Sequence, residues 1–131
     1  MNDKHVVSLE LSKKLKDNNY PQEGEFWWVG LMTDINGKWC GHIIHKDEGF
    51  DFNTRYVAPL ASELMEKLPE EIITKHTYSL NIGKWNDRYN VTYNWEEGND
   101  SGSLEGAFQS DNNLCDALAL MWIYLKGKGL L

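Results

Sequence analysis

The chain predicts an α+β domain: an antiparallel sheet of about four strands in two hairpins, with helices packed mainly on one face. Three observations carry this expectation. Residues 113–126 place Leu114, Ala117, Leu118, Met121, Trp122 and Leu125 at helical spacing. Asn36–Gly37 stands between two strand-like runs and is the strongest short hairpin signal. Residues 85–95 alternate strictly, as a half-buried strand does. The order reads α-β-β-α-β-β-α.

Taken in order, Ser8 opens a short helix reaching about Asn18. Leu11 and Leu15 share one face, and Lys13, Lys14 and Lys16 share the other, where the late lysines suit the helix dipole. Tyr20–Pro21 stops it. Phe26–Thr33 and Lys38–His45 then read as strands joined by a two-residue type I′ turn at Asn36–Gly37. One face of this hairpin carries Trp27, Val29 and Leu31 beside Ile44, His42 and Cys40. The other carries Trp28, Gly30 and Met32 beside His45, Ile43, Gly41 and Trp39. Both faces are rather apolar, whereas a freely solvated face is more polar.

His45 to Arg55 is a polar connection. Pro59 fits the first turn of a second helix running to Leu68, with Leu60, Ala61, Leu64, Met65 and Leu68 as its stripe and Pro69 as its stop. Ile72–Ile82 and Trp85–Trp95 form the second hairpin around Gly83–Lys84. Its second strand sets Trp85, Asp87, Tyr89, Val91, Tyr93 and Trp95 on one face and Asn86, Arg88, Asn90, Thr92 and Asn94 on the other. Asn is a poor strand former, so that polar face is unusual. Residues 96–102 read as a loop and Ser103–Phe108 as a short edge strand. Asn113 caps the last helix, Asp116 occupies the N3 position of a capping-box-like arrangement, and Gly127 fits the C′ position. The back of that helix carries Leu120, Ile123 and Tyr124, which calls for cover on two faces, by the sheet and by further elements or a second chain.

At 131 residues the chain reads as a single domain, 1–131, with residues 1–6 as a flexible lead and enough length for a core without disulfides. A net charge of −7 argues against nucleic acid and against an anionic membrane surface. One exception is an acidic chain that imitates nucleic acid and occupies a basic groove. Six Trp suit either a packed core or a contact surface. Cys40 and Cys115 are expected as two reduced core cysteines, with a single disulfide as the alternative. The first residues lack an apolar signal core, and no run approaches the ~18 apolar residues of a spanning helix, so the expected setting is cytoplasmic.

Cys40, His42 and His45 suggest zinc, but on a strand His45 points away from the other two, leaving two ligands where a structural site needs four. Asp34–Ile35–Asn36–Gly37 lacks the spacing and the last Glu of a calcium loop, and Phe108 stands where the segment from Glu97 through Asn99 and Ser101 would need that Glu. Carboxylates fall on helix faces (Glu63, Glu66) or in loops (Asp47, Glu48, Asp51). No phosphate loop, dinucleotide fingerprint, nucleophile elbow or His-Glu-x-x-His is present. The expectation is therefore a non-enzymatic chain with no metal and no cofactor. Trp28, Met32, Trp39 and Ile43, opposite the face assigned to the core, form the candidate contact patch for a protein partner or a second copy. Trp85, Tyr89, Tyr93 and Trp95, with their Asn neighbours, form an alternative platform for a small ligand or saccharide.

Three segments carry a family resemblance: Ser8-Leu-Glu-Leu-Ser-Lys-Lys-Leu-Lys with Tyr20-Pro21-Gln22 and Phe26-Trp-Trp-Val; Ala58-Pro59-Leu-Ala-Ser-Glu-Leu with Leu68-Pro69; and Asp116-Ala-Leu-Ala-Leu-Met-Trp-Ile-Tyr-Leu-Lys. In this order the chain resembles small uncharacterised proteins of phages and prophage-like elements of bacteria, notably gut bacteria. The resemblance spans most of the chain, and its motifs are caps, stripes and stops. It implies an intracellular accessory protein of a mobile element and carries over no activity and no catalytic residue.

Overall fold

In the computed structural model, residues 5–48 and 54–131 are described. Three helices and two antiparallel sheets follow one another as α1 (Leu9–Asp17), β1 (Phe26–Thr33), β2 (Trp39–His45), a 3-10 turn (Lys46–Glu48), β3 (Tyr56–Val57), α2 (Ala61–Lys67), β4 (Glu71–Ile73), β5 (Thr77–Trp85), β6 (Arg88–Glu97), β7 (Asp100–Asp111) and α3 (Leu114–Gly127). The α+β class stands. The expected four strands become seven, in one sheet of order β2-β1-β3 and another of order β4-β5-β6-β7. Asp51, read above as a loop carboxylate, lies outside the described residues, as do residues 1–4.

The second sheet departs from expectation through its turns. The tight turn is at Asn86–Asp87, not Gly83–Lys84: both residues take positive φ (52° and 59°), and Trp85 faces Arg88. Two consecutive left-handed residues are what a type I′ hairpin turn requires. Gly83 and Lys84 continue β5, opposite Asn90 and Tyr89. The expected loop at 96–102 is a hairpin instead. Gly98 takes a φ of 61° and Glu97 pairs with Asp100, so the edge strand begins at Asp100 and runs to Asp111.

Both faces of β1 are buried, which accounts for the two-sided apolar hairpin. Trp27 and Val29 join the main core with Val57, Leu64, Val91, Tyr93, Leu118 and Met121. Trp28, on the opposite face, packs in a second core with Val6, Leu9 and Ala58. Val6 is fully buried, so it does not belong to a flexible lead. The over-apolar last helix is likewise housed within the chain. α3 packs against α1, α2, β6 and β7, with Leu120, Ile123 and Tyr124 half-buried.

The ends of α3 follow the rules of helix capping. The Asn113 side chain accepts from the Cys115 and Asp116 N–H groups. The C′ glycine is Gly129 (φ 69°), two residues beyond the expected Gly127, with Leu130 N–H bonded to Leu125 O and Gly129 N–H to Lys126 O. α2 starts at Ala61, later than Pro59 suggested, and the Glu63 carboxylate reaches back to Leu60 N–H at 2.9 Å.

Candidate functional site

The β1–β2 hairpin leaves Met32, Ile35 and Trp39 in solvent. Its turn is wider than expected. Asp34 N–H bonds to Lys38 O, Gly37 N–H bonds to Asp34 O, and Gly37 takes a φ of 79°. This is a type I turn closed by a left-handed glycine rather than a two-residue type I′ turn. The Asp34 carboxylate accepts from Asn36 N–H (2.8 Å) and Lys38 N–H (2.9 Å), which stiffens the loop.

A β-bulge then shifts the register. Val29 faces His42, yet Met32 faces Cys40, so Gly30 and Leu31 share the space opposite Gly41. Gly30 accommodates this at a φ of 62°. The extra residue reverses the expected faces at the far end. Leu31 packs on the Trp28 side, where a Cβ on Gly41 would come within 2.7 Å of it. Met32 moves to the side of Cys40.

The four residues of the expected contact patch are therefore not one surface. Trp28 is buried, and its indole N–H bonds to Val7 O at 2.9 Å. Ile43 is half-buried against Trp28. Met32 (61% exposed) and Trp39 (49%) remain accessible on opposite faces, and Ile35, missed by the sequence reading, is 100% exposed at the apex. The Lys13 ammonium lies 3.2 Å from the centre of the Trp39 ring, a cation–π contact from α1 that holds the indole in place. Cys40 is free and exposed, contrary to its expected place in the core, while Cys115 is free and buried.

At the base of the hairpin Glu25 accepts from His45 Nε2 (2.8 Å) and from the Lys46 ammonium (3.1 Å). These bonds, Lys46 first, lower the Glu25 carboxyl pKa and raise that of Lys46. Asp47 N–H donates to His45 Nδ1, which leaves Nε2 as the donor to Glu25. His42 and Cys40 share a face, and His45 lies on the other. Among the described residues no group of three or more His, Cys, Asp or Glu is arranged to hold a metal ion.

The expected aromatic platform is also divided. Tyr93 is fully buried, its hydroxyl bonded to Pro69 O at 2.7 Å and its pKa pushed up to about 12 by burial. Tyr89 and Trp95 line the core side of the sheet. Trp95 stacks on His76 at 3.7 Å and leans over Gly102, whose missing Cβ makes room for it. Trp85, through the displaced turn, joins the Asn-rich face instead and is 73% exposed. With it on that face lie Phe108 (60% exposed), Arg88 bonded to Ser110, and the chain Ser103–Asn94–Thr92 of side-chain hydrogen bonds. Rings and fixed amides of this kind can stack on and hydrogen-bond an uncharged ligand, yet the face is open and flat.

A third feature is a cleft of about 530 Å³ where His5, Leu60, Ser62, Tyr89, Asn113 and Cys115 meet. Burial pushes the Cys115 thiol up to about 11, so it stays protonated and unreactive at neutral pH. Among the described residues no helix is long and apolar enough to cross a membrane. Compared with family models, curated proteins and solved structures, the chain matches none.

Proposed function

We propose that this chain is a protein-interaction module that acts by binding and not by catalysis, and that the end of the β1–β2 hairpin is its contact element. One observation carries the reading: Met32, Ile35 and Trp39 are exposed together on a hairpin end whose shape is held by Asp34 and Lys13. Burying such side chains contributes roughly 1.5–3 kcal/mol each, and a stiff turn keeps the ordering cost of binding low. An end that is apolar on both faces and at its apex suits a cleft in another protein better than a flat surface. The accessory role in a mobile element implied by the three resembling segments belongs to this same proposal.

The test is a photo-activated cross-linker placed at Ile35 in the full chain expressed in cells, with a matched probe at exposed Glu97. A discrete adduct at Ile35 and none at Glu97 is the expected result. Equal labelling at both positions, or none at Ile35, removes the hairpin end from the binding surface.

A further inference from the structure

We propose that β2 is a self-pairing edge, by which two copies of the chain join their three-stranded sheets antiparallel about a two-fold axis at His42. The proposal concerns the outer strand of that hairpin and not its end, so it goes beyond the reading above and is tested separately from it.

β2 is the outer strand of its sheet, and among the described residues no strand pairs with its far side. The hydrogen bonds at either end fix which residues face outward. Lys46 N–H bonds to Glu25 O, and Asp34 N–H bonds to Lys38 O. With the register between them, this turns Cys40, His42 and Ile44 toward β1 and leaves the backbone N–H and C=O of Trp39, Gly41, Ile43 and His45 directed away from it.

Exposed edges in other proteins are blunted by charge, proline, bulges or shortness. The other edges here are. β3 has two residues, β4 has three and begins at Glu71, and β7 has Asp100 and Asp111 at its ends with a register break at Gly106 (φ 78°). Trp39–His45 is seven residues long and contains no Lys, Arg, Asp, Glu or Pro. Among the described residues only β2 is left unguarded.

One antiparallel register uses all four outward residues. Trp39 faces the partner's His45, Gly41 faces the partner's Ile43, and His42 faces the partner's His42 in a non-hydrogen-bonded position. Small meets large at Gly41, and ring meets ring at Trp39. The charges also agree. Lys13 over Trp39 comes opposite the partner's His45 end, where Glu25, Lys46 and Asp47 carry a net negative charge. The arrangement is isologous, so it closes as a dimer and does not propagate.

The experiment uses the full chain and two changes at exposed His42, where the monomer should tolerate substitution. Sedimentation of the parent chain at high concentration is expected to give a dimer. His42→Lys, which puts two ammonium groups face to face, should weaken it about tenfold or more. In a Cys40→Ser background, His42→Cys should oxidise to a cross-linked dimer, because facing residues at such a position stand about 4.5 Å apart between Cα atoms, within disulfide reach. Asn36→Cys should not, since six residues from the axis its sulfurs would be about 40 Å apart. A parent chain that stays monomeric, or a dimer that survives His42→Lys and leaves His42→Cys uncrosslinked, overturns the pairing. If the chain is monomeric yet Ile35 still forms an adduct with a different protein, the self-pairing fails and the hairpin reading stands. If His42→Cys cross-links but Ile35 gives no adduct, the pairing stands and the hairpin end is not a contact.

Discussion

Asp116 is the one acidic side chain buried among the described residues, and it serves a part of the chain far from its own helix. Its carboxylate accepts the Ser8 N–H at 2.7 Å, across 108 residues, and so caps the entry to α1, where the Ser8 hydroxyl makes no capping bond. Burial raises its pKa, against the lowering effect of the Ser8 bonds. The folded chain therefore holds that proton more tightly than the unfolded chain. The group's contribution to stability is full below the ordinary carboxylate range and is lost as pH rises through the raised value, the reverse of the usual carboxylate. Asp116→Asn keeps an oxygen for Ser8 and should flatten that part of the pH dependence, while Asp116→Ala orphans the amide and should cost about 1–3 kcal/mol. Urea unfolding of the three proteins between about pH 4 and pH 7 measures both effects. An Asn variant that follows the parent at every pH would show that the buried carboxylate does not set the slope.

Among the elements, the β5–β6 hairpin is most open to test. Gly83 lies inside β5, and nothing stands within 4 Å of where its Cβ would be. Gly83→Thr should therefore be tolerated and add about 0.5–1 kcal/mol by thermal unfolding. A turn at Gly83–Lys84 would make the same change clearly destabilising. Both hairpin misreadings share a cause. Asn-Gly and Gly-Lys carry the stronger local turn signals, yet the Gly30 bulge and the left-handed pair Asn86–Asp87 decide the register. A bulge leaves almost no trace in a sequence, because it is selected by what packs beyond it: here Leu31 against Gly41. The helices were legible because their stripes and stops are local. Of the candidate site, Trp39 was readable as an apolar residue opposite the main core, whereas Met32 reaches solvent on the Cys40 face, where the bulge puts it. Ile35 was hidden inside a turn motif, and the burial of Trp28 depends on Val6 and Val7, which no periodicity connects to it.

At the scale of the molecule, the segment His5–Ser8 ties the first sheet to α3. Val7 N–H bonds to Pro59 O, Val7 O accepts from Trp28, Val6 O accepts from the Asn113 amide, and Val6 and Val7 are fully buried. Removing residues 1–7 should lower stability by about 3–5 kcal/mol and shift tryptophan emission to the red, because Trp28 loses its cover and its acceptor. Unchanged emission with an unchanged urea midpoint would mean that the second core closes without this segment. The span of these contacts also bears on the order of folding. The meander β4–β7 is made of neighbours in sequence and can form early, whereas the clasp between Ser8 and Asp116 has to close a loop of nearly the whole chain. Until it does, the Trp28 face stands open beside the uncharged strand β2. The contact that closes the longest loop is thus the one that shields an apolar face, and crowding of nascent copies during that interval is where misassembly would begin.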